Sequence, residues 1–205
     1  MSSSSLIRFG GLATMVAGVL LIIVSIALIL GAVNGADRTE EATTGTYAML
    51  TSLFALATIL LQGGLVALYA HRSEAMGIFG LVGFVAAFFG TALMVGYCWA
   101  EAFVIPAVAD IDPVQLNNLY TLGTWGRARV AALLLFPVGW MVFGLAAYQA
   151  RVYPAWAARV LVIGAVINLS PRQGSDLVFA AGLVWVGFVV FARRTTLDQQ
   201  PSRVS

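Results

Sequence analysis

Long apolar runs separated by short polar interruptions dominate the chain. The first covers residues 6–33 and is broken only by Arg8 near its start. The polar, acidic segment NGADRTEEATTG at 34–45 then reads as a loop. Further apolar runs cover 46–70, 76–104, 130–150, 155–169 and 175–191. A hydrocarbon core about 30 Å thick is crossed by about 20 apolar residues in a helix. The pattern therefore predicts an all-α membrane protein, a six-transmembrane-helix bundle in one domain over 1–195, with a polar tail at 196–205. The first run is about twice as long as the 7–15-residue apolar region of a secretory signal, so it reads as an uncleaved span.

The run at 76–104 organises the rest. At 100° per residue, Gly83, Ala86, Gly90, Met94, Tyr97 and Glu101 fall within about 40° of one line. A seam of small residues admits a close neighbour helix, and the same line turns Glu101 toward protein rather than lipid. As a helix this run is about 43 Å long and must tilt or project. Pro106 is expected to end it. In the long connection at 107–129, Asp112-Pro113 reads as an N-cap followed by proline at the first helical position. Val114, Leu116, Leu119, Tyr120 and Leu122 then suggest a short amphipathic interfacial helix. Pro137 predicts a kink in the fourth span.

Composition agrees with this reading: of 205 residues, 60% are hydrophobic and only 10% charged, against roughly 25% charged in soluble domains. All eleven basic residues are arginine, a bias of GC-rich bacterial genomes. A formal charge of +2, without a basic patch interleaved with aromatics, argues against nucleic-acid partners. Six spans place both termini on one side. That side takes Arg8, Arg72, Arg151, Arg159, Arg193, Arg194 and Arg203 against Glu74 and Asp198, a net of +5. The other takes Arg38, Arg127, Arg129 and Arg172 against Asp37, Glu40, Glu41, Glu101, Asp110, Asp112 and Asp176, a net of −3. The positive-inside rule then predicts cytoplasmic termini in a bacterial inner membrane.

A weak internal repeat also runs through the chain. GLVALYAH at 64–71 aligns with GLAAYQAR at 144–151, and LVGFV at 81–85 with VIGAV at 162–166. This suggests a parallel duplication of a helical hairpin.

Glu101 is the first candidate for chemistry, because an acid inside a span is costly and commonly functional. It can serve as a ligand contact or a titrating group, or as a structural anchor paired with an arginine. Tyr97 and Trp99 neighbour it in YCWAEAFVIP. Arg127 and Arg129, beside Trp125, approach the same outer end, as do Asn168, Arg172 and Asp176. Together they form a candidate outward polar cluster, although arginine and tryptophan also gather at any bilayer interface. The single His71 lies in a turn, so two-histidine haem ligation within one chain is excluded, and no cofactor is expected. Cys98 stands alone, which excludes an intrachain disulfide. The chain lacks HExxH, GxSxG, a phosphate loop and CxxC.

The segments RFGGLAT (8–14), GLVALY (64–69), GTAL (90–93), WAEAFVIP (99–106), GWMVFG (139–144) and PAWAA (154–158) carry a family likeness. Through them the chain resembles a loose group of small multi-span membrane proteins of GC-rich bacteria, to which no activity is assigned. That resemblance implies a multi-span bundle and no particular mechanism. The functional expectation is a non-enzymatic bundle that binds a small ligand or lipid, or an accessory subunit of a membrane complex. Its partners would be the bilayer and another membrane protein or a second copy of itself. Two alternatives stay open: a small proton-coupled transporter using Glu101, and an enzyme acting at the outer leaflet.

Overall fold

In the computed structural model, residues 3–31, 38–112, 114, 116, 118–119, 123–170 and 174–192 are described. Every described element is a helix: α1 (Ser3–Ile29), α2 (Arg38–Ala42), α3 (Gly45–Ala70), α4 (Ser73–Ile111), α5 (Thr124–Gln149), α6 (Ala155–Ile167) and α7 (Leu177–Ala192). Four of them, α1, α3, α4 and α5, are long and apolar enough to cross a membrane. The described residues thus form an all-helical protein with the dimensions of a membrane protein.

The helices form a ring in chain order. Each of α1, α3, α4, α5, α6 and α7 packs on the next, and α7 closes back onto α1. Neighbours run antiparallel. Gly10 lies against Ala67, Gly18 against Ala180, and Gly90 against Leu135. One end of the ring therefore gathers Arg8, Arg72, Arg151 and Arg159, and the opposite end carries Glu101. We call these the basic end and the acidic end.

The predicted seam is real, and its partner is α5. A methyl group built on Gly90 would stand 2.5 Å from the Leu135 carbonyl oxygen, and one on Gly139 would stand 2.5 Å from the backbone of Ala86 and Ala87. Only glycine lets the two backbones approach this far. Among the described residues, large side chains fill the middle of the ring. Trp140, Phe143 and Phe179 are fully buried, and Trp140 meets the other two edge-on at 5.8 and 5.5 Å between ring centres. Its indole N–H donates to Thr91 Oγ1 at 2.9 Å, and Thr91 donates in turn to the Ala87 carbonyl at 2.7 Å. The other buried serine and threonine hydroxyls behave alike: Thr14, Ser25 and Thr58 return their protons to carbonyls one turn back. An apolar surrounding leaves such groups no better acceptor.

Several boundaries differ from expectation. Pro106 does not end α4, which runs on to Ile111. A proline removes one backbone hydrogen bond, but Ile105 and Ala109 on either side of it are buried against Ala42 and Leu116, and that packing carries the helix through. Near its start α4 is broken at Gly77 (φ 57°, ψ −156°), next to the predicted start at Met76. The first span stops at Ile29 rather than Val33, and Gly31 turns the chain at φ 77°. The helix expected from Val130 begins earlier, at Thr124, and the one expected from Ser175 begins at Leu177. The helix expected to reach Leu169 ends at Ile167. The segment 34–45 is not wholly loop, since it holds α2. The predicted interfacial helix lies partly outside the described residues. Within them, Asp112 closes α4, and its carbonyl accepts from the Leu116 N–H at 3.2 Å.

The turn from α5 to α6 has a backbone peculiarity. Val152 N–H donates to Ala147 O and Arg151 N–H to Tyr148 O, both at 3.1 Å. That pattern is a Schellman motif, whose left-handed position is usually glycine. Here it is Arg151, at φ 51°.

The seam yields a direct test. Gly139→Ala should destabilise the protein by about 1–3 kcal/mol through backbone clash. Gly96→Ala, on the exposed face of α4 with nothing within 4 Å, should stabilise it by up to about 1 kcal/mol. Reversible unfolding in mixed micelles checks both.

Candidate functional site

The first side chain in place is Tyr47. Thr44 caps α3, its hydroxyl oxygen accepting the Tyr47 N–H at 3.2 Å. This sets Tyr47 in the first turn of α3, facing α4. Its phenolic O–H donates to Glu101 Oε2. Glu101 is only 6% exposed, so the acid is turned toward protein, as its position on the seam predicts.

Two pairs with a spacing of four residues face each other across the α4–α5 contact. On α4, Tyr97 precedes Glu101 by one turn. On α5, Trp125 precedes Arg129 by one turn. The rings of Tyr97 and Trp125 stack with centres 5.9 Å apart, and the Tyr97 hydroxyl lies within hydrogen-bonding reach of both Glu101 and Arg129. Cys98, buried on the α3 side, lies beside Thr58. An apolar cap closes the cluster from outside, built from Ala42 of α2, Ile105 and Ala109 of α4, and Leu116, with Tyr47, Val108 and Trp125 packed against it.

The arrangement holds a carboxylate in place with a phenol donor from a neighbouring helix, next to a second phenol and a guanidinium. Charge-assisted hydrogen bonds of this kind are strong and directional. Their effect here is to tie α3, α4 and α5 together at the acidic end.

The sequence-predicted residues divide. Tyr97, Glu101 and Arg129 meet in the cluster. Trp99 does not: it is 53% exposed and packs on Phe103, ring centres 5.6 Å apart, on the outer wall. Arg127 is exposed. Asn168 and Asp176 form a separate group between α1, α6 and α7. There the Ser175 hydroxyl donates to Asn168 Oδ1 at 3.4 Å, and Asp176 stands beside the buried Ser25 of α1. Arg172 lies outside the described residues. The residue that sequence reasoning missed is Tyr47. Its only signal is its place three residues after a threonine at the head of an apolar run.

A double-mutant cycle tests the clamp. Tyr47→Phe and Glu101→Gln should each destabilise the protein, with a coupling energy of about 1 kcal/mol between them. Additive effects in equilibrium unfolding would mean that the two side chains do not work as a unit.

Comparison with protein-family models, with curated proteins and with solved structures finds no match to this chain. The functional reading therefore rests on residues and geometry.

Proposed function

We propose that this protein is a non-enzymatic membrane bundle that works through its surfaces, as an accessory subunit of a larger membrane assembly or as a holder of lipid or a small ligand. The observation that carries the reading is the state of Glu101. The acid is buried, hydrogen-bonded across helices and covered by an apolar cap, which suits a structural pin better than a group that meets substrate. The aromatic side chains buried in the middle of the ring, Trp140, Phe143 and Phe179, support the same view. A proton-coupled transporter would need Glu101 on a water-filled path. An outer-leaflet enzyme would need groups converging on one substrate atom, whereas the polar residues lie in two groups on different helices.

The reading includes six crossings of a bacterial cytoplasmic membrane with both termini inside. The short helices α6 and α7 are about 20 and 24 Å long. What supports their crossing is that α7 and the turn before it run along α1, from Gly187 beside Gly11 through Ala180 beside Gly18 to Gly174 beside Ile29, so that segment shares the depth of a membrane-length helix. The hairpin duplication belongs to the same proposal. Its support is that the two aligned glycines, Gly83 and Gly164, take the following helix in the same way, against the backbones of Val142-Phe143 and Val178-Phe179. Kinship with the small multi-span proteins of GC-rich bacteria is proposed with it.

Two measurements check the proposal. In a Cys98→Ser background, a membrane-impermeant maleimide should label Thr43→Cys in intact cells and Ala75→Cys only after permeabilisation; the reverse pattern would invert the topology. Mild extraction from native membranes followed by mass spectrometry should recover a stoichiometric protein partner or a retained lipid or ligand. A solitary protein carrying none of these would defeat the proposal.

A further inference from the structure

The basic end carries a feature that the buried acid does not touch. An open cavity of about 520 Å³ sits at the α5–α6 turn, lined by Tyr148, Gln149, Arg151, Tyr153 and Ala155. None of these side chains is acidic. Tyr153 forms a fixed floor: it is buried, and its hydroxyl donates to the Leu68 carbonyl at 3.1 Å. Gln149 and Arg151 are exposed at the mouth.

Arg151 occupies the left-handed position of the Schellman turn, where glycine fits without strain. Arginine has no conformational advantage at φ 51°. What it brings there is a guanidinium, and a strained residue of this kind points to a use for its side chain. A second guanidinium is held ready nearby. Arg159 lies over the rings of Tyr148 and Trp156, at 5.3 and 5.1 Å, and its Nη2 donates to the Tyr148 hydroxyl oxygen at 2.9 Å. With its oxygen accepting from Arg159, Tyr148 keeps its own O–H proton to donate. Ala155 opens α6, and no side chain caps that helix, so first-turn N–H groups add to the donors at the rim.

The charged side chains at this mouth are both cationic, and the Tyr148 hydroxyl has a proton to donate beside them. Beside it the wall is apolar. Trp156 is 66% exposed, and Ile163 and Val166, further along α6, are 53% and 48% exposed. A ligand matching both parts has an anionic phosphate and hydrocarbon chains.

The geometry points to a headgroup site for an anionic phospholipid at the α5–α6 turn. The phosphate sits between Arg151, Arg159 and the Tyr148 hydroxyl, and an acyl chain lies along α6. Basic pockets at the ends of membrane helices hold anionic headgroups by this chemistry. The inference rests on the chain being a bilayer-embedded bundle, but not on the buried acid or on any protein partner.

Native mass spectrometry of the full-length protein released from nanodiscs tests it, with phosphatidylglycerol compared against phosphatidylcholine of the same chains. The wild type should retain phosphatidylglycerol preferentially. Arg151→Gly should lower that retention about fivefold, the effect of one interfacial arginine, while leaving the melting temperature equal or higher because glycine suits the turn. Arg127→Gln, which removes an exposed charge at the other end, should leave retention unchanged. Equal retention of the two lipids, or full retention by Arg151→Gly, would overturn the site. Displacement of the lipid by millimolar inorganic phosphate would also overturn it, reassigning the pocket to a soluble anion. Failure of wild type and variants alike to enter nanodiscs would instead refute the bundle itself.

Discussion

The close approach of α4 and α5 is the contact on which the rest of the structure depends. Lipid tails are as apolar as leucine, so helices in a bilayer gain little by hiding hydrophobic side chains from their surroundings. They associate through packing, and packing is best where backbones touch. Gly83 and Gly90 on one helix and Gly139 on the other allow that contact. Once the two helices lie in this register, Trp140 reaches Thr91, Tyr97 stacks on Trp125, and Glu101 comes to the same outer corner as Arg129. The central aromatic cluster and the buried polar cluster are thus two results of one alignment.

Much of this was legible in the sequence because the physics involved is local and periodic. The line of small residues ending in Glu101 marks a helix face, and that face is buried. The sidedness of the arginines needs only the order of the segments. What escaped is what depends on partners from elsewhere in the chain. Tyr47 lies 54 positions from Glu101, and no spacing rule links them. Pro106 looked like a terminator because a single helix has no reason to continue past it; contacts with Ala42 and Leu116 provide one. Asn168 and Asp176 share an end of the bundle with Glu101 but fall on a different part of the ring, and depth alone cannot reveal which helices are neighbours.

The two ends divide the chemistry between them. At the acidic end, Tyr47, Tyr97, Glu101 and Arg129 gather beside an apolar cluster and join three helices, so their effect is internal and mechanical. At the basic end, Arg151 lines an open cavity in an unfavourable backbone conformation, and Arg159, held by aromatic rings, bonds the Tyr148 hydroxyl at its edge.

The ring order of the helices has a consequence for assembly. All the large contacts but one join consecutive helices, so each can form as soon as the next segment enters the membrane. The exception is α1 with α7. Until the final helix docks, the side of α1 that carries Gly11 and Gly18 borders lipid, and the circle stays open. Arg8 and Phe191 lie close together in the finished structure, 5.6 Å from guanidinium to ring centre. The beginning of α1 and the end of α7 are therefore near enough for a short linker to join them. The bundle is circularly permutable in principle: a new start at any other basic-end turn would preserve every interhelical contact and change only which seam closes last.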